Sequence, residues 1–165
     1  MQVYWDFCSS QTCCSEDEAS VPLNRRELHC ERSANNLDRW LSGDSEPPVI
    51  RLVGIKLISY QEGRAQLELS AGPQHHNPMG IIHGGILCDL ADAAMGVAMA
   101  TLLKEDETFS TVALDIHYFR PVTEALLTAV AQVTQRSARI GYVESEIRDE
   151  DERLIAKATS TRMIQ

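Results

Sequence analysis

No stretch of this 165-residue chain stays apolar over the ~18 to 20 residues that a membrane span needs, so no transmembrane helix is expected. Met1 to Ser10 hold neither a basic run nor an apolar one, so a secretory signal is not expected and a cytoplasmic location is. Positive charge is scarce: 15 Lys and Arg stand against 24 Asp and Glu, for a formal net charge of -9. A surface of that sign repels phosphate backbones and anionic bilayers, which argues against nucleic-acid and membrane partners. A few local arginines could still hold an anionic small molecule. The five cysteines include no C-x-x-C pair. Cys8, Cys13, Cys14 and Cys30 crowd the first 30 residues around His29, but adjacent Cys13 and Cys14 are poor zinc spacing. No metal is expected, and the cysteines read as free thiols in a reducing compartment.

What is present suits one soluble domain with a tail, at roughly 150 residues per domain. The hydrophobic share of 44% and charged share of 24% are ordinary, and the chain can bury a core without disulfides. Residues 1–46 are rich in Ser, Asn, Glu and Asp. Residues 1–33 are expected to be mostly disordered. Leu37, Trp40 and Leu41 fall at i, i+3, i+4 and predict a short helix over 34–42. Pro47 and Pro48 mark the entry to a compact domain over 47–165.

Residues 50–60 and 64–70 alternate around Glu62 and Gly63, which predicts a β-hairpin. Residues 72–83 carry Gly, Pro and Asn and read as a loop. Ile86, Leu87, Leu90, Ala91, Ala94, Met95, Ala98 and Leu102 keep a helical period over 84–103. Val97 and Met99 add apolar character on other faces, so protein should wrap this helix on most sides. Strands are predicted over 109–119, 125–135, 140–148 and 154–164. The order β-β-α-β-β-β-β predicts an α+β fold, with one antiparallel sheet wrapped around a buried helix.

The chemistry concentrates where the loop meets the helix. Gly84 and Gly85 either make a tight packing turn or let a ligand approach the backbone. The first N–H groups of a helix lack partners and the dipole there favours negative charge, which suits a carbonyl turning into an oxyanion. Asp92 sits inside the helix before a run of apolar residues and Gly, where a carboxylate is costly unless it is hydrogen-bonded or has a task. Asp89, three residues earlier, reads as solvated.

Asn77, then His83, Gly84 and Gly85, then Leu90, Ala91 and Asp92 nine residues after the His, resemble the hotdog-fold acyl-CoA thioesterases of the phenylacetate-type (PaaI-like) branch. The run from Ile116 to Pro121 resembles that branch's strand ending before a proline, and the likeness covers about residues 48–165. It implies an antiparallel sheet of five or six strands around one long central helix. It implies hydrolysis of an aryl-acetyl or medium-chain acyl-CoA to free acid and CoA, with no cofactor. Gly84 would present its N–H to the thioester carbonyl, and Asn77 would orient that carbonyl or a water. Asp92 would act as general base or nucleophile, and Thr111 would assist the attacking water. His83 and Gly85 would line the substrate, with His83 fixing the loop. Arg120, Arg136 and Arg139 are candidates for the CoA phosphates, since an acidic protein must supply cations locally.

Gly84 and Asp92 are eight residues apart, about 12 Å along a helix axis. Hydrogen-bond reach is only about 3 Å. One chain does not easily bring both to one carbonyl, whereas two chains with antiparallel helices do. A homodimer with shared sites is therefore expected, and the resemblance adds pairing of dimers into tetramers. Two other readings compete. A hotdog enoyl-CoA hydratase or dehydratase would use one of His75, His76, His83 and His117 with an acid. A non-catalytic acyl-CoA sensor would need a basic DNA-binding module, for which residues 1–46 offer few cations.

Overall fold

Pro47 and Pro48 open a helix where a strand was predicted. In the computed structural model, which describes residues 39, 40, 42, 44–104 and 106–165, helix α1 spans Pro48–Val53. Pro48 takes a first-turn position, where its missing N–H costs nothing. Gly54 closes the helix in the left-handed region at φ 83°, its N–H donating to Ile50 O at 2.8 Å. Only then does strand β1 begin, Ile55–Gln61. The alternation of residues 50–54 is therefore that of a single helical turn burying Ile50 and Val53.

A turn at Glu62 and Gly63 leads to β2, Arg64–Ala71. The long helix α2 runs Gly84–Ala100, about 25 Å at 1.5 Å per residue. It stops three residues short of the predicted end. Thr101 closes it, donating from Oγ1 to Ala98 O at 2.7 Å and accepting from Gly63 N at 2.8 Å. Strands β3 (Phe109–Tyr118), β4 (Ala125–Arg136), β5 (Ile140–Arg148) and β6 (Leu154–Ile164) follow. All six strands form one antiparallel sheet in the order β1-β2-β4-β5-β6-β3, which leaves β1 and β3 as its edges.

The sheet lays its inner face on α2. Leu67, Leu69, Leu127 and Ile147 from the sheet meet Leu90, Met95 and Met99 from the helix, all fully buried. Each such side chain contributes roughly 1.5–3 kcal/mol of burial. Small inward residues, Ala129, Ala131, Ala158 and Ser160, let the helix lie close to the strands. Among all these apolar neighbours one cation is buried without exposure, Arg162 on β6. Trp40, which is helical together with Arg39, also packs into the core. The expected disorder of residues 1–33, the rest of the 34–42 helix and the four N-terminal cysteines lie outside the described residues. No helix among the described residues is long and apolar enough to cross a membrane.

Candidate active site

The loop before α2 is pinned at several points. His75 is buried and bridges Val53 O (Nε2, 2.9 Å) and Gly72 N–H (Nδ1, 3.2 Å), tying the loop to α1. Asn77 accepts on Oδ1 from Met79 N at 2.9 Å and from Ile81 N at 3.4 Å, and Gly80 turns the chain at φ 75°. The Asn77 carbonyl oxygen thus shapes the loop. Its amide NH₂, with no acceptor among the described residues, is the part left for a ligand.

His83 is the N-cap of α2 and accepts on Nδ1 from Gly85 N at 2.8 Å. Gly85 therefore spends its N–H inside the chain, and His83 serves as a cap. The Gly84 N–H has no acceptor among the described residues and stands at the positive end of a 17-residue helix. Tyr118, which the sequence reading passed over, covers this spot from β3. Its hydroxyl donates to Gly84 O at 3.0 Å, and a Cβ on Gly84 would lie 3.1 Å from its ring. Close approach by Tyr118 is one reason for glycine here.

Two turns along the helix, Asp92 is not the lone carboxylate its apolar surroundings suggested. Its side chain is 16% exposed, and Arg162 Nη2 donates to its Oδ1 at 2.7 Å and to its backbone oxygen at 3.2 Å. Arg162 Nη1 donates to Thr111 Oγ1 at 2.8 Å. Thr111 lies directly opposite Arg162 in the β3–β6 ladder, beside a bulge that leaves Val112 unpaired. Bulges of this kind re-aim side chains next to sites. The structure thus joins two of the predicted residues, Asp92 and Thr111, through a third that the sequence reading missed. Phe109 covers the guanidinium at 5.2 Å. Burial pulls Arg162 below its usual basicity while Asp92 opposes that pull; an arginine stays charged under both.

Asp89 and Cys88 flank this centre. Burial, then the neighbouring Asp92 charge, holds the Asp89 carboxyl above its ordinary value, with His83 working in the opposite direction. Folding therefore favours the protonated form, and stability falls as pH rises from the ordinary carboxylate value through the raised one. Asp89→Asn should accordingly raise the melting temperature at pH 7, with the gain vanishing as pH drops below that window. A gain that persisted unchanged at low pH would show that charge is not its cause.

The arginines divide between the two ends of α2. Arg120 lies at the N-terminal end, where Val122 O accepts from Ile82 N, and its Nη1 donates to Leu154 O at 2.6 Å. Arg136 and Arg139 belong to the β4–β5 turn at the other end, where Gly141 abuts Met99. Within one chain they do not reach the Gly84 N–H. Arg136 is bound to Glu107, whereas the exposed Arg139 side chain has no ionic partner among the described residues. Of the histidines open to proton transfer, His76 bonds Thr123 O at 2.7 Å and His117 pairs with Asp115 at 3.0 Å in solvent. His75 and His83 are occupied as described. None of the four is poised beside the Gly84 N–H as a free base. No group of His, Cys, Asp or Glu among the described residues is spaced to hold a metal ion.

Residues 79–156, which include α2 and most of the sheet, match the thioesterase superfamily. A conserved protein of Pseudomonas aeruginosa has a similar solved structure, with a TM-score of 0.69 and 31% identity over 73% of this chain and 95% of that one. The E. coli PaaI protein from the phenylacetic acid degradation operon superposes with a TM-score of 0.69 at 25% identity, covering 81% of this chain and 94% of PaaI. The medium/long-chain acyl-CoA thioesterase YigI of Salmonella typhimurium is 28% identical over 132 residues, 71% of this chain and 85% of YigI. The helix wrapped in a six-stranded antiparallel sheet is the hotdog fold, and the chain belongs to the thioesterase superfamily. It is a thioester hydrolase.

Proposed function

We propose that this chain hydrolyses acyl-CoA thioesters to free acid and CoA at sites shared between two copies of itself. The observation that carries the proposal is the Gly84 N–H, without an acceptor among the described residues and set about 12 Å along one helix from Asp92. The thioester oxygen takes the Gly84 N–H at the helix N-terminus, where negative charge is favoured. The Asn77 amide steadies the same carbonyl. Asp92 of the partner subunit either draws a proton from water or attacks the carbonyl itself. In both routes the C–S bond breaks, CoA leaves as the thiol, and water supplies the acid's second oxygen. No cofactor enters the balance.

The acyl group is aryl-acetyl or medium-chain aliphatic. Likeness to PaaI, from a phenylacetic acid operon, supports the first, and likeness to YigI, a medium/long-chain enzyme, supports the second. Arg120 at the near end of α2 is a candidate for the CoA phosphates. In an antiparallel pair with Asp92 against Gly84, the far end of one helix runs on about 12 Å beyond the N-terminus of the other, and Arg139 of the partner subunit, near that end, is the second candidate. Pairing of dimers into tetramers rests on the family resemblance. A cytoplasmic location rests on cysteines whose spacing offers no disulfide framework, and exclusion of nucleic acid and membranes rests on the charge of -9. A thiol-release screen over phenylacetyl-, benzoyl-, hexanoyl-, octanoyl- and palmitoyl-CoA tests the activity. Highest kcat/KM is expected on the phenylacetyl or octanoyl ester, and silence across the panel would overturn the reading.

The shared site has a second consequence. Setting Gly84 of one copy against Asp92 of the other pairs positions symmetric about residue 88, so the two Cys88 side chains face each other across the two-fold axis. With Cys8, Cys13, Cys14 and Cys30 replaced by Ser, a short bis-maleimide, which alkylates one thiolate at each end, should link the dimer through Cys88. Cys88→Ser should abolish the product. Burial, then Asp92 and Asp89, push the Cys88 thiol up, so the yield should climb as the reaction is run at higher pH. A dimer that stays uncrosslinked at every pH would mean that its helices do not meet in this register.

A further inference from the structure

The fully buried Arg162 has no place in the reaction described so far, yet two of the proposed catalytic side chains end on its guanidinium. We propose that Arg162 is a positioning residue that fixes the direction of the hydrogen bonds around the attacking water, making Thr111 a donor and Asp92 an acceptor. The inference rests on the shared-site reading above and deepens it.

Arginine has five N–H donors and no acceptor. At 2.8 Å from Nη1, the Thr111 oxygen must therefore accept, and its own proton must point away from the guanidinium. That proton has no acceptor among the described residues. At 2.7 Å from Nη2, Asp92 Oδ1 also accepts, because the guanidinium can only donate. Two adjacent nitrogens of one rigid fork thus hold the strand residue and the helix residue together. A water that accepts from Thr111 and donates to Asp92 keeps its second lone pair for the thioester carbon. As the C–O bond forms, its proton passes to Asp92.

A purely structural role fits the surroundings poorly. Arg162 has no exposure, and its buried Nε has no partner among the described residues. Burying a cation that way costs more than an apolar side chain of similar volume would. The neighbours facing it are Asp92 from α2, Thr111 and Phe109 from β3, and Gly96, where an added Cβ would sit 3.7 Å from Nη1. Asp89 approaches the same carboxylate from one turn away. The guanidinium has no solvent exposure, and among the described residues the side chains that accept from it are those of Asp92 and Thr111.

The test compares thiol release from the panel's best acyl-CoA by wild type, Asp92→Asn, Arg162→Lys, Arg162→Met, Thr111→Ala, Thr111→Val, Thr111→Ser and the double variant Thr111→Ala with Arg162→Lys, all full length. Arg162→Lys keeps the charge but a single ammonium cannot make the fork. It should lower kcat on the order of 100-fold, with KM nearly unchanged. Arg162→Met, which keeps neither the fork nor the charge, should lower kcat at least as far, again with KM nearly unchanged. Thr111→Ala should cost activity in the wild-type chain and add little in the Arg162→Lys chain. A wild-type kcat in Arg162→Lys, an effect on KM alone, or full additivity with Thr111→Ala would each overturn the proposal. If the Arg162 variants do not fold, Thr111 decides: Thr111→Ser should retain turnover and Thr111→Val should lose it, and an active Thr111→Val ends the relay. Retained turnover in Asp92→Asn would instead bring down the site reading itself, which separates the two failures.

Discussion

Asp92→Asn is expected to lower turnover at least ~100-fold on every acyl-CoA the protein hydrolyses, the scale of general acid–base catalysis. Asparagine has nearly the same shape, and its Oδ1 can still accept from Arg162 Nη2, which now lies 2.7 Å from the carboxylate. What disappears is the negative charge, and with it the capacity to take a proton or attack a carbonyl. The ion pair changes what else to expect. A fully buried guanidinium would keep this hydrogen bond but face a neutral partner, so the variant should also be less stable than the wild type. Kinetics at a temperature well below the variant's melting point keep the two effects apart. A folded variant with near-normal kcat would show that Asp92 is simply Arg162's counter-ion and that the chemistry lies elsewhere.

The parts of this molecule that were legible in the sequence are those ruled by period and turn chemistry. The helix beginning at Gly84, the strand limits of 140–148 and 154–164 and the hairpin at Gly63 follow from apolar spacing and from glycine's conformational reach. Residues 50–60 misled because alternation over five residues is also compatible with one and a half helical turns. Pro48 at a first-turn position and Gly54 at the close were the deciding residues. Arg162 was missed for a related reason. Ile155, Ala158, Thr161 and Met163, which stand out when the last strand is read for apolar character, mix its two faces. By parity, Ala158, Ser160, Arg162 and Ile164 share the buried face, and Met163 points outward. An arginine in phase with buried neighbours was the available signal. The placing of Arg136 and Arg139 was not available at all. It depends on which end of α2 the β4–β5 turn packs against, and only the register of six strands determines that.

Gly84→Pro should cost turnover roughly 100- to 1,000-fold relative to Gly84→Ala, the loss typical of one oxyanion donor. The comparison isolates a single backbone N–H. Gly84 is the first residue of α2, a position where proline is well tolerated because its absent N–H has no intrahelical role. His83 before it is already extended, at φ -62° and ψ 133°, as a residue preceding proline prefers to be. The His83–Gly85 cap uses the next amide and stays intact. Both substitutions introduce a Cβ that meets the Tyr118 ring at 3.1 Å, and this half-exposed ring must shift by a few tenths of an ångström in either variant. Alanine carries that steric cost and keeps the N–H; proline carries it and removes the N–H. Helix content and melting temperature should therefore be similar for the two, while kcat separates them. Equal turnover in Gly84→Pro and Gly84→Ala would mean that the thioester oxygen is held by another group, and the Asn77 amide, with no acceptor among the described residues, would be the next to remove.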